Sequence, residues 1–267
     1  MRYRTLGPWI LVWLVLSAVP AAAVPFDTAL YAQILARHTE AVSDTAGVRV
    51  DYRGLRSSPE WRQLLDNLAR TEPHALSSRE EKLAFWVNTY NVLAIALVVD
   101  HYPVNSIRDI GSLLRPVWKR NAGVVGGRAV TLDWIEHGVL RSLGEPRIHA
   151  AIVCASVSCP SLLREPWRAD ALDAQFDTAL KSWLANREKG LRIDRSGGTL
   201  TLSPIFEWFE EDFAGGGGVL ASIAPYLTAR DRSWLAQHPS PTRRSFDYDW
   251  HLNDLVDARQ GDDERGS

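Results

Sequence analysis

With 267 residues and a formal net charge of −2, from 30 lysines and arginines against 32 aspartates and glutamates, the chain is long enough for one large domain with its own core. It carries no basic block, so it lacks the electrostatic footprint of a nucleic-acid-binding protein. Its two cysteines are too few to staple a domain of this size, and any bridge between them would be a local clip.

The chain opens on a leader pattern. Arg2 and Arg4 precede the apolar run Trp9 to Val19, and Pro20-Ala21-Ala22-Ala23 ends in small residues. The spacing predicts a signal peptide over 1–23, cleaved after Ala23, and export to the periplasm or the extracellular space. No later apolar stretch reaches spanning length without charges, so no integral membrane segment is expected after processing. The remainder reads as a single domain over 24–256 and a polar, disordered tail over 257–267.

Within the domain a first helix is predicted over 26–40 and a short strand over 48–52. Ser58-Pro59-Glu60 has the cap, the proline and the acid of a helix start, and that helix is expected to run to about Arg70. Ser77 or Ser78, followed by Glu80 and Glu81, starts a long apolar helix over 79–100, the expected buried centre. Asn88 and Asn91 are its polar exceptions, three apart and therefore on one side. Buried amides need partners, which either neighbouring loops or a site would supply.

Two short strands around Gly126-Gly127 and a helix from Thr131 to Leu143 follow. Arg147 to Cys154 reads as the best strand, and 169–187 as an amphipathic helix. Leu191–Asp194 and Thr199–Leu202 pair as a hairpin around Ser196-Gly197-Gly198. Further helices start at Ser203, near Val219 and near Asp231, and Phe246 to Trp250 is expected as a terminal strand. Helices outnumber strands, and the strands arrive singly or as hairpins. The expected class is α+β: a helix-rich single domain with a small, mainly antiparallel sheet.

The chemistry gathers in one stretch, where His149, Cys154 and Cys159 lie within eleven residues. Strand alternation would place His149 and Cys154 on opposite faces unless the chain bends after Val153. Four readings stand open. One cysteine is a nucleophile activated by histidine; the two form a local disulfide, which export favours; both are inert and buried; or they join His149 around a metal, although the spacing fits no common zinc template. No metal and no cofactor are expected. Glu136, on the helix opening at Thr131, is a candidate acid or histidine orienter, and Asp249 is more readily a fixer of the terminal strand.

Phe85-Trp86-Val87-Asn88-Thr89-Tyr90-Asn91, the segment from Arg147 through Ser158-Cys159-Pro160, and Tyr248-Asp249-Trp250-His251-Leu252-Asn253 together resemble the domain of unknown function 547 family. The resemblance covers about residues 75–190 as a core, with a further match at Phe206-Glu207-Trp208-Phe209. It implies Cys154 rather than Cys159 as the functional thiol, because relatives can carry serine at the latter position. It implies paired asparagines at Asn88 and Asn91, one of which would orient an imidazole, and an acidic position at Glu136. It also implies a distant likeness to a permuted papain-like or transglutaminase-like thiol fold.

These readings converge on an exported thiol-dependent hydrolase or acyl-transfer enzyme. His149 is its base, Cys154 its nucleophile, and Asn88, Asn91 or Glu136 the orienter; Cys159 is a further candidate. A peptide, peptidoglycan or a small amide is the expected substrate, and the oligomeric state is open. The rival is a non-catalytic envelope interaction or scaffold protein with an aromatic-rich, peptide-binding groove.

Overall fold

The longest apolar run of the sequence forms the axis around which the other elements pack. The computed structural model describes residues 24–256; the predicted leader 1–23 and tail 257–267 lie outside the described residues. In the numbering used below, α1 is Thr28–His38, β1 Thr39–Ala41, β2 Val48–Val50, α2 Tyr52–Ser57, α3 Pro59–Arg70 and α4 Arg79–His101. Helix α4 begins with a reciprocal capping box: the Ser78 hydroxyl accepts from the Glu81 amide, and the Glu81 carboxylate accepts from the Ser78 amide. It is long and apolar enough to cross a membrane, yet it is buried inside the protein over nearly its whole length.

The serine-proline start of α3 behaves as its sequence suggests, with Ser58 Oγ accepting from the Trp61 amide at 3.1 Å. After α4 come the hairpin β3 (Gly123–Val125) and β4 (Arg128–Val130), then a π-helical turn over Trp134–Leu140 that Gly144 stops in a left-handed conformation. Helix α5 (Leu172–Ala185) leads into the hairpin β5 (Leu191–Asp194) and β6 (Thr199–Leu202). The short helices α6 (Ile205–Trp208), α7 (Val219–Ile223) and α8 (Ala229–Gln237) precede β7 (Thr242–Ser245). The architecture is α+β, one helix-rich domain whose small sheets are antiparallel except for the parallel pair β6 and β7.

Apolar side chains fall into two clusters. The larger surrounds α4; the smaller gathers Leu180, Trp183, Leu200, Phe206, Phe213 and Trp234 from the C-terminal half. The candidate site opens where the two meet.

Two sequence expectations are corrected. Residues 147–154 are not a strand: Pro146–Ala150 is a 3₁₀ helix with Glu145 as its cap, and the chain beyond it is irregular. Proline fixes the first backbone angle of that turn. Asn91, from α4, then takes the Val153 amide and the Ala151 carbonyl. Ile148, Ile152 and Val153 pack in the core without joining a sheet. The terminal strand likewise lies earlier than expected, at Thr242–Ser245 against β6. Residues 246–250 run irregularly, because Tyr248 turns in over the disulfide loop.

Candidate functional site

An open cleft of about 700 Å³ lies between the two clusters. Its floor includes Cys154 and Cys159, and its walls include Tyr90, Asp133, Glu136, His149, Trp118, Trp208, Phe209, Tyr248 and Trp250. They come from six separate stretches of chain, so the site is assembled by tertiary packing.

The sulfurs decide the chemistry. Cys154 and Cys159 are bonded to each other, with Cα atoms 6.3 Å apart and no free cysteine left. A nucleophilic cysteine needs a thiolate, and neither sulfur can provide one. The expected thiol hydrolase or acyl-transfer enzyme, with Cys154 as nucleophile and Cys159 in reserve, is thereby overturned. The metal reading fails as well, since both sulfurs are occupied and no group of three suitable side chains exists among the described residues.

The loop that carries the disulfide is held tightly. Asp249, His251 and Asn253 pair with it: the Ser158 amide donates to Asp249 O, the Val157 amide to His251 O, and the Asn253 amide to Ala155 O. Ala155 sits at φ 61°, in the left-handed region that costs a side-chain-bearing residue about 1–2 kcal/mol. The Tyr248 hydroxyl lies 3.2 Å from Cys159 Sγ and 3.4 Å from Cys154 Sγ, and accepts from Ser156 Oγ at 3.1 Å. Burial pushes that phenol above its ordinary range. Beneath the loop, Lys189 is 2% exposed. Its Nζ donates to Ala46 O at 2.8 Å, Val157 O at 3.2 Å and Cys159 O at 2.6 Å. Three acceptors match the three hydrogens of an ammonium, which a neutral amine could not supply. Burial pulls the group down to about 7.

His149 does reach the cleft, against the alternation argument, because a 3₁₀ turn presents it there. Its partners there are an acid and an aromatic ring, however, and not a sulfur. Nε2 donates to Asp212 Oδ2 at 2.7 Å, and the ring stacks on Phe209 with centroids 4.1 Å apart. Burial lowers the imidazole to about 4, against the pull of Asp212, so at neutral pH it is an uncharged donor. Asp212 is opposed by its own partial burial, yet hydrogen bonds from Arg141 and His149 hold it below the usual carboxylate range. Arg141 grips both oxygens of Asp212, at 2.8 and 2.7 Å, and also pairs with Glu211.

Neither asparagine orients the imidazole. Asn88 donates to Trp167 O at 2.8 Å and accepts from Trp167 N at 2.9 Å; Asn91 does the same with Ala151 O and Val153 N at 2.9 and 2.8 Å. Both amides are consumed in fixing loops against α4. Glu136 faces Tyr90, whose hydroxyl donates to Oε2 at 3.4 Å, and burial raises its carboxyl to about 7. Asp249 accepts from the His251 amide at 2.9 Å while its own amide donates to Ser158 Oγ at 2.8 Å, a role in shaping the terminal segment.

Sequence reasoning missed Asp212 and the place of Tyr248 over the sulfurs; it expected an aromatic-rich groove without saying which rings form it. Trp208 stacks on Trp250 at 6.0 Å and 13°, Tyr248 lies 4.4 Å from Trp250, and Trp118 6.2 Å from Trp250. The density of aromatic residues at 206–209 and 246–250 was the available signal.

Residues 73–184 match the model of a family described as "Protein of unknown function, DUF547". No curated protein and no solved structure matches the chain.

Proposed function

We propose, with the match of residues 73–184 to the DUF547 family model as the premise, that this chain is a non-catalytic interaction protein of the cell envelope whose aromatic cleft takes up a segment of peptide. The observation that carries the reading is the set of four rings, Trp118, Trp208, Tyr248 and Trp250, grouped over a floor closed by a disulfide. Rigid aromatic surface grips a partner with little loss of side-chain freedom. An envelope location agrees with the leader pattern at 1–23, and a disulfide persists in such a compartment.

The cleft also favours one kind of side chain. Asp133 and Glu136 lie along it, and no lysine or arginine is among its lining residues. A basic side chain entering between the rings would gain cation–π attraction and a carboxylate partner. The expected distant likeness to a papain-like or transglutaminase-like thiol fold finds no support, since no solved structure matches the chain and the thiol it would require is tied up.

Panning a displayed peptide library on the purified protein tests the proposal. Recovered peptides are expected to be rich in lysine or arginine, to shift the cleft tryptophans in fluorescence, and to lose at least about tenfold in affinity with Trp250→Ala, as for an aromatic hot spot. Recovered peptides that bind a folded Trp208→Ala/Trp250→Ala protein equally well would overturn it.

A further inference from the structure

Away from the cleft floor, at its outer rim, the segment 106–120 carries a feature that the peptide reading does not use. Two 3₁₀ turns, Ile107–Ile110 and Val117–Lys119, are joined by a tight loop. The Ser112 amide donates to Arg115 O at 3.0 Å and the Arg115 amide to Ser112 O at 3.2 Å. This closure leaves Leu113 and Leu114 as the two tip residues, 102% and 99% exposed. Tips of this kind ordinarily carry glycine, asparagine or aspartate. No other large apolar side chain among the described residues exceeds half exposure, the next being Trp208 at 49%.

The base of the loop is firm. Ile107, Ile110 and Val117 are buried, and a Cβ on Gly111 would come within 2.5 Å of the Val117 amide nitrogen, so the two arms are pressed together. The tip is therefore held out in water by a structured base.

Its surroundings are cationic. Arg108, Arg115, Lys119 and Arg120 fall within 106–120 against the single carboxylate of Asp109, which is engaged by the Ser106 amide at 3.0 Å. Arg108, Arg115 and Lys119 are exposed, while Arg120 donates to Ile110 O. The Arg108 guanidinium lies 5.0 Å over the ring of Trp250, beside Trp118. Bare aliphatic residues at a tip, cations around them and tryptophans behind match the three zones of a lipid interface: acyl chain, phosphate and carbonyl level.

We propose that the Ser112–Arg115 loop is a membrane-docking element, inserting Leu113 and Leu114 into an anionic phospholipid surface while Arg108, Arg115 and Lys119 meet the headgroup phosphates. Trp118 and Trp250 border both this loop and the aromatic cleft, so docking holds the cleft mouth at the bilayer surface. The inference stands independently of what the cleft binds.

Vesicle cosedimentation with the full chain tests it, using phosphatidylglycerol–phosphatidylcholine vesicles against pure phosphatidylcholine and against soluble glycerophosphate. The readout is the difference between the natural chain and its variants, since any contribution from the apolar residues 9–19 is common to all. Leu113→Ser/Leu114→Ser is expected to weaken binding to the anionic vesicles at least about tenfold, as loss of two inserted leucines requires. Arg115→Gln/Lys119→Gln is expected to weaken it severalfold and to reduce its salt dependence. Both variants change only exposed side chains, and circular dichroism confirms their folding. Equal vesicle binding by the leucine variant would overturn the proposal. So would competition by glycerophosphate that is complete and indifferent to the leucines, or self-association in solution that the leucine variant abolishes, which would assign the tip to a second copy of the chain.

Discussion

His149 and Asp212, separated by 63 positions, share a hydrogen bond of 2.7 Å in which the imidazole is the donor and the carboxylate the acceptor. The pair ties the 3₁₀ turn that starts at Pro146 to the segment following α6, and Arg141 closes the arrangement from just past the end of the π-helical turn. Three non-adjacent parts of the chain thus meet at one carboxylate. Asp212→Asn is expected to destabilise the fold by about 2–4 kcal/mol, since it leaves a partly buried arginine with only the exposed Glu211 as a charged partner. Urea unfolding at neutral pH checks the value.

The same histidine gives the fold an acid limit. Burial lowers it from 6.5 to about 4, so between those values the unfolded chain takes up a proton that the folded chain refuses. The contribution of this histidine to stability is expected to decline as the pH falls through that window, by up to about 3 kcal/mol. His149→Gln should remove that contribution, so that its stability deficit relative to the natural protein is larger at pH 7 than at pH 4.5. Denaturation midpoints at pH 7 and 4.5, compared between the two proteins, decide it.

Glu136 responds in the opposite sense. Its carboxyl is raised from 4.5 to about 7 by burial, so the folded chain keeps a proton that the unfolded chain has released, and the contribution of this group to stability is expected to fall as the pH rises from 4.5 to 7, against that of His149. A basic peptide in the cleft would favour the carboxylate and expel that proton. Binding below pH 7 should therefore release a proton and strengthen with pH, and Glu136→Gln should abolish both effects. Calorimetry in buffers of different ionisation enthalpy measures the release.

Asn91 satisfies one donor and one acceptor on either side of the turn at Ile152. Asn91→Leu, which keeps the volume but leaves both backbone groups unpaired, is expected to cost about 2–5 kcal/mol. Asn91→Asp should also destabilise, because a carboxylate would face the Ala151 carbonyl. Thermal unfolding distinguishes these outcomes from a free surface position, which would move little.

Gly190 lies where a Cβ would stand 1.7 Å from the Trp183 carbonyl oxygen. Gly190→Ala is expected to prevent the end of α5 from meeting β5 and to displace the neighbouring Lys189. Soluble expression and near-ultraviolet circular dichroism would report the loss of packing.

Local signals were legible wherever they act locally. Ser58-Pro59 and the Ser78–Glu81 box could be read as helix starts because each group satisfies backbone amides within its own first turn. The hairpin of β5 and β6 followed from its turn residues. The segment 147–154 was misread because a run of β-branched residues has the same composition whether it pairs in a sheet or packs in a core. What settles the matter is Asn91, from another element. The site was half legible for the same reason. His149 and both cysteines announce chemistry by type, but the partner of the imidazole lies in the Glu210-Glu211-Asp212 run, where nothing in the spacing singles out one acid. The bond between the sulfurs depends on a loop geometry that Lys189 and the terminal segment impose.

That geometry separates two things a disulfide commonly does at once. The bridge spans five positions, and the loop around it is already held by the ammonium of Lys189, the backbone of 249–253 and the hydroxyl of Ser158. Its contour is written in hydrogen bonds, and the sulfur–sulfur link adds little to it. What the link chiefly does is chemical: it withholds two sulfurs from reaction at the base of a cleft.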